Sequence, residues 1–278
     1  MRAVACLLFG AIALGSLVAQ TSADQARVRT RHLAIESETL SGPDREKIVH
    51  KFEANAYPTW GTAELAGEMR DRVRDSLQIL GYFRASVAEP KISFVRKAGD
   101  TTVIDMTVAV EEGPRYYMGE IRFRNAKAFP TTRLRQAFLI QTGDVFDTEK
   151  IRKGMLSLSS LYDSEGYLYF MDVPVTTTDD SRHIVDLRFD LDEGKVFFFG
   201  PLVLDGPEPR AGAGQALLKS WSLLKGRRYS GEVLLRWFIE NRVNLPAGEH
   251  IYSDLVQTFP DPGSQIVTVK FSFPLPAS

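Results

Sequence analysis

Cysteine is almost missing from this chain. There is one in 278 residues, Cys6, and it lies inside an apolar leader. That excludes a disulfide-stapled scaffold, and it excludes thiolate metal or nucleophile sites downstream of the leader. Histidine is sparse too. His32, His50, His183 and His250 are scattered without the close spacing of a ligand set, so no metal is expected. Neither sign of charge dominates: 34 Lys and Arg stand against 35 Asp and Glu. Without a basic field, nucleic acid is not an expected partner. Downstream of the leader no apolar run is long enough to cross a bilayer as a helix. No Ser/His/Asp or Cys/His set stands out, and spacing marks no carboxylate pair. Catalytic residues, a cofactor and a small-molecule substrate are therefore not expected, and neither is enzyme activity. Two stretches imitate ligand loops. Gly212-Ala-Gly214 lacks the third glycine and the following βαβ pattern of a dinucleotide loop. Asp190-Leu-Asp192-Glu193-Gly194 begins like a calcium loop, but Lys195 replaces its glycine and Pro201 its last carboxylate. A flexible turn before a helix and a strand's wet face account for them.

What is present begins with the leader itself. Met1-Arg2, an apolar run from Ala3 to Ala19 and Thr21-Ser22-Ala23 have the order of a secretory signal peptide, residues 1–23. The run is shorter than the ~20 apolar residues of a bilayer span. Residues 24–31, rich in arginine, read as a linker. Removing the leader takes Arg2 with it, leaving 33 basic against 35 acidic residues and no cysteine. Stability then rests on packed cores, for which 44% apolar residues suffice.

The body of the chain repeats. Val103-Ile-Asp-Met-Thr-Val-Ala-Val-Glu-Glu-Gly113 recurs as Ile184-Val-Asp-Leu-Arg-Phe-Asp-Leu-Asp-Glu-Gly194 and again from Ile266. The spacings are 81 and 82 residues (103 to 184, 184 to 266). A period of that size is a small domain with its own core, not one solenoid repeat. Each unit gives the same signals: an extended stretch, a Gly/Pro/Asn turn, two helical patterns, then two strands. The second helix of the first unit carries Leu65, Met69, Val73 and Leu77 as a single apolar stripe. The last strands alternate cleanly, with Leu187, Phe189 and Leu191 expected inside and Arg188 and Asp190 outside. The expectation is an α+β chain of three tandem β-α-α-β-β units, each a three-stranded sheet with two helices on one face. They span residues 32–113, 114–194 and 195–278.

The middle unit carries a more specific pattern. Glu112-Gly113-Pro114 leads into Gly119-Glu-Ile-Arg-Phe123 and Asn125. Gly143-Asp-Val-Phe146, Leu161-Tyr162, Gly166-Tyr167 and Val173-Pro174 follow, closing on Glu193-Gly194. This resembles the polypeptide-transport-associated, or POTRA, domain. The first unit keeps Gly81-Tyr82 but has Tyr57 to Gly61 in place of the Gly-Asp-x-Phe turn. The third keeps its last strand and has Asn244-Leu-Pro-Ala-Gly248 in place of Gly-Tyr. The resemblance covers residues 32 to 275.

That resemblance implies a periplasmic array associated with the outer membrane. Such arrays stand before an outer-membrane β-barrel, guide unfolded clients and bind accessory proteins. A barrel needs at least ~80 residues of strand, and only five residues follow Phe273. The expectation is therefore the binding module without a barrel. Its partners would be extended polypeptides, with a barrel protein or accessory lipoprotein as further candidates. Strand addition is the expected mechanism, because small sheets leave unpaired edges. The candidate edge is Leu168, Tyr169, Phe170, Met171, Asp172, Val173 and Val175. Two rival readings stay open: an envelope or cell-division scaffold held by an uncleaved leader, and a relic of a barrel protein serving as a spacer.

Overall fold

The structure, a computed structural model, describes residues 4–5, 26–61, 63–246 and 255–274. Apart from Val4 and Ala5, the signal peptide lies outside the described residues, as do its cleavage site, Cys6 and His250. The fold is α+β. The first unit runs β2 (Arg27–Glu36), α1 (Gly42–Ala54), β3 (Ala56–Pro58), α2 (Leu65–Ile79), β4 (Ser86–Val87), β5 (Lys91–Ala98) and β6 (Thr101–Glu111). Arg27 to Arg31 is thus strand, not linker. Alternating exposure along β2, with Val28 and Thr30 buried, lets it pair with β6 in parallel and with β3. The sheet order is β3-β2-β6-β4, and β5 also pairs with β6, so two short strands join the expected three. Ser41 caps α1 by accepting from the Asp44 N–H at 3.3 Å. The α2 stripe of Leu65, Met69, Val73 and Leu77 lies buried with Ile48, Phe52, Ile104, Met106 and Val108.

The second unit contains β7 (Tyr117–Arg124), α3 (Thr131–Arg135), α4 (Thr148–Ser164), β8 (Met171–Asp179) and β9 (Ile184–Asp192). Its order is β8-β9-β7, and the two-residue β1 (Val4–Ala5) lies antiparallel against Thr176 and Thr177 of β8. Asp147 caps α4, accepting from the Lys150 N–H at 3.0 Å. The third unit contains β10 (Phe198–Asp205), α5 (Ala213–Trp221), α6 (Gly231–Glu240), a 3-10 turn (Arg242–Asn244), β11 (Val256–Asp261) and β12 (Ile266–Ser272). Here β10 and β12 are parallel, β11 and β12 antiparallel, and the order is β10-β12-β11. Its core gathers Phe199, Leu217, Trp221, Trp237, Phe238, Val267, Val269 and Phe271. Alternation holds in all three last strands. Leu187, Phe189 and Leu191 are buried, while Arg188 and Asp190 are not.

By compactness the chain divides into two bodies. One is Met1–Arg122 with Phe138–Gly154 and Pro174–Phe189. The other is Phe123–Ala137 with Met155–Val173 and Asp190–Ser278. In the first body the loop after Phe138 and the β8–β9 hairpin pack on the end of α2. In the second, the end of α4 packs on the third unit. No helix among the described residues is long and apolar enough to cross a membrane.

Candidate functional site

The Gly-Tyr pairs end the second helices, and both do the same thing. Gly81 has φ +92° and Gly166 φ +91°, left-handed geometry that glycine adopts without steric cost. The Tyr82 N–H then donates to the Leu77 carbonyl at 3.0 Å, and the Tyr167 N–H to the Tyr162 carbonyl at 3.1 Å. This turns each glycine carbonyl outward. The Gly81 carbonyl accepts from the Tyr116 N–H at 2.8 Å, and the Gly166 carbonyl from the Phe197 N–H at 2.8 Å. The flanking bonds repeat as well. Phe146 N–H donates to the Tyr116 carbonyl at 2.9 Å, and Tyr229 N–H to the Phe197 carbonyl at 2.8 Å. There is no room for more than hydrogen at either glycine. A Cβ on Gly81 would lie 2.4 Å from Val145 Cγ1, and one on Gly166 would lie 2.8 Å from the Phe197 oxygen.

The aromatics at these junctions are structural. Tyr116, Phe197 and Phe199 are buried. Phe83 meets Phe146 edge-on at 5.3 Å, and Tyr169 meets Phe197 at 5.3 Å. Polar contacts finish each joint. Tyr116 Oη donates to Asp180 at 2.8 Å, and Arg84 reaches Asp180 at 3.1 Å and Thr178 at 2.9 Å. Those donors hold the Asp180 carboxyl below its ordinary pKa. At the second joint Arg228 pairs with Glu165 at 2.8 Å.

The first unit treats this position differently. Arg29 pairs with Val103 as Phe198 pairs with Ile266, so Val28 stands where Phe197 stands. Opposite Val28 is Tyr57 of β3. The departing loop, Tyr57 to Gly61, thus supplies a strand where the other units receive a glycine turn.

The Glu-Gly pairs also have a job that spacing did not reveal. Glu112 accepts from Ser37 Oγ at 2.7 Å and from Thr39 Oγ1, tying the β2–α1 turn to the end of β6. Glu193 accepts from the Lys127 and Ala128 N–H groups at 2.8 and 3.0 Å and from Tyr162 Oη at 2.8 Å. Burial pushes both carboxyls up, but these donors outweigh it and their pKa values fall below the ordinary carboxylate range. Asp44 was not singled out by sequence either. It is buried and accepts from Tyr82 Oη and Ser41 Oγ, each at 2.9 Å, and from Arg115. Burial opposes its ionisation, and these partners overcome it, so its pKa is lowered. The only sequence signal was Tyr82 within its Gly-Tyr pair.

The candidate edge is placed as follows. Leu168, Tyr169 and Phe170 precede the strand, which begins at Met171. They form a turn closed by the Phe170 N–H donating to the Tyr167 carbonyl at 3.1 Å. Phe170 stacks on Tyr162 at 3.8 Å and Leu168 packs on the third unit's core, so all three are held by packing. Met171, Asp172, Val173 and Val175 do lie on β8. Met171 is 55% and Val173 59% exposed, whereas Asp172, Pro174, Thr176 and Thr178 lie on the covered side. A proline within a strand belongs at an edge with its nitrogen facing outward. By the strand's alternation, the N–H and C=O of Asp172 face the same side as Pro174, the side on which β1 covers only Thr176 and Thr177. Burial pushes the Asp172 carboxyl up to about 6, and its Oδ2 has no hydrogen-bond partner among the described residues. Strand β5 is also nearly all exposed, with Phe94 59% accessible.

Among the described residues no group of His, Cys, Asp and Glu is arranged to hold a metal. A cavity of about 330 Å³ is lined by Val28, Thr59, Leu65, Lys97, Asp100 and Thr102.

Residues 116–194 match the POTRA family model, described as a surface antigen variable number repeat. POTRA domains 3–5 of BamA from Haemophilus influenzae superpose with a TM-score of 0.57 at 17% identity, over 90% of this chain and 97% of that one. POTRA domains 1–3 of Omp85 from Anabaena give 0.35 at 13% identity, over 89% and 95%. CdiB from Escherichia coli gives 0.30 at 15% identity, over 87% of this chain and 37% of that one. No curated protein sequence matches.

Proposed function

Starting from a POTRA middle unit in a chain that folds like BamA POTRA domains 3–5, we propose a periplasmic scaffold in outer-membrane protein assembly or secretion. POTRA domains are non-catalytic modules, and the reading gives this chain no reaction of its own. It takes extended polypeptides by strand addition at β8, and a barrel protein or accessory lipoprotein is a further partner. The units are 32–113, 114–194 and 195–278, delivered by the leader of residues 1–23. The observation that carries the reading is the side of β8 from Met171 to Val175, short of the two residues that β1 covers. Exposed Met171 and Val173 flank outward-facing backbone groups of Asp172, which suits main-chain pairing with clients of many sequences.

The test is Asp172→Pro, which deletes a donor on the open side and leaves the β9 side intact. The variant should keep the parent's circular dichroism and lose most crosslinking to unfolded outer-membrane protein. A folded variant that captures client as well as the parent would remove β8 as the binding edge. An unfolded variant would show that Asp172 donates inside the sheet, and the edge would have to be sought at β5.

A further inference from the structure

Asp172 is the one ionisable residue on the covered side of β8, where its neighbours are Pro174, Thr176 and Thr178. It sits at the open edge and not in the middle of the sheet. Its carboxylate is mostly removed from water, yet Oδ2 finds no donor among the described residues. A buried acceptor left unmatched costs stability, and a charged one costs more. Three other carboxylates that burial disfavours are matched. Glu112 has Ser37 and Thr39, Glu193 has two N–H groups and Tyr162, and Asp44 has Ser41, Tyr82 and Arg115. Among the described residues two carboxylate oxygens are buried without a partner, Glu68 Oε2 on α2 and Asp172 Oδ2, and Asp172 is the one on the edge of β8 that β1 leaves uncovered.

The geometry says what would match it. A segment added alongside β8 places its own side chains alternately on the two faces of the sheet. Residues directly opposite come within about 4.5–5.5 Å at Cβ, close enough to pair. On the outer face such a segment meets Met171 and Val173, which are apolar and exposed. On the other face, opposite Asp172, it meets an unmatched acceptor. Resting on the strand-addition reading, we propose that β8 selects extended segments of alternating character, with apolar residues toward Met171 and Val173 and a lysine or arginine opposite Asp172. The cation's N–H groups supply the donor that Oδ2 lacks, and its charge stabilises a carboxylate that burial disfavours. The same position discriminates. An acidic residue there would set two carboxylates against each other in a partly dry site, and an apolar one would leave Oδ2 unmatched. Pro174 limits the register, because it offers no N–H to a residue opposite it.

The experiment uses the protein with a photo-crosslinking amino acid in place of Val173. Three nine-residue alternating peptides are compared, identical except for a central Lys, Thr or Glu. At low salt the Lys peptide should bind about tenfold or more tighter than the Glu peptide, with Thr between, and should crosslink at position 173. In Asp172→Asn the Lys-over-Glu ratio should fall below about twofold, and Asp172→Lys should invert it. The asparagine variant should melt no lower than the parent, since it removes a charge that burial disfavours. Equal affinities for the Lys and Glu peptides, with crosslinking intact, would overturn the charge selection and leave strand addition standing. A preference that survives in Asp172→Asn would overturn it as well, by placing the selecting charge elsewhere. Failure of every peptide to crosslink at position 173 would bring down the strand-addition reading and this inference with it.

Discussion

Single residues decide the joints between units, and the glycines show how. Gly81 and Gly166 take left-handed backbone and face a neighbour too close for a Cβ, whereas Gly143, with φ +90°, has nothing within 4 Å of a Cβ. The two kinds of glycine should separate on substitution. Gly143→Ala should cost only backbone strain, roughly 1–3 kcal/mol. Gly166→Ala adds a clash with the Phe197 carbonyl and should cost clearly more. Thermal melts of the two variants check this, and equal losses would mean that the glycine carbonyl does not need its close approach. These glycines were legible in sequence because Gly-Tyr recurs at a helix end. Asp44 was not, because its partners Tyr82 and Arg115 stand 38 and 71 residues away and no local pattern joins them.

At the level of elements, legibility followed periodicity. Strand β9 alternates without interruption, and Val185, Leu187, Phe189 and Leu191 are all buried. Leu187→Ala should therefore cost roughly 2–5 kcal/mol, and Arg188→Ala far less. Comparable urea midpoints for the two variants would contradict the assignment. The same reasoning failed one element earlier. Leu168-Tyr-Phe170 continues the apolar texture of β8, so it reads as strand. Tertiary packing of Phe170 on Tyr162 and Leu168 on the third unit makes it a turn instead. Two short strands, β3 and β4, were invisible because two or three residues cannot display a period. The linker reading of Arg27 to Arg31 failed for a related reason. Its arginines project outward while Val28 and Thr30 carry the covered side of β2, a strand whose exposed half is charged.

For the whole molecule, the buried carboxylates set an acid limit. Asp44, Glu112 and Glu193 have lowered folded pKa values. Their stabilisation is complete above the unfolded values near 4 and is lost as pH falls through the folded ones. Asp172 works the other way. Its folded value of about 6 lies above the unfolded one, so the stability that its protonated form gives is full below about pH 4, is lost as pH rises from there toward 6, and does not change further above it. The melting temperature should accordingly peak near pH 4, decline from there toward pH 6 through Asp172, and fall below pH 4 through the other three. A melting temperature that climbs from about pH 4.5 to 6 would refute this balance. The fold class was open to sequence because striped helices and alternating strands display their periods, whereas the acceptor on β8 is brought to light only by what packs around it in the folded chain.

Strand β3 gives the array a grammar of insertion. A duplicated unit placed between existing ones finds a glycine carbonyl waiting and a strand start that needs a partner. Placed before the first unit it finds that partner already supplied by Tyr57, from within the same fold. Lengthening the protein at that side, by evolution or by design, therefore begins with rewriting the loop from Tyr57 to Gly61 into the Gly143-Asp-Val-Phe146 form, and only then with adding residues.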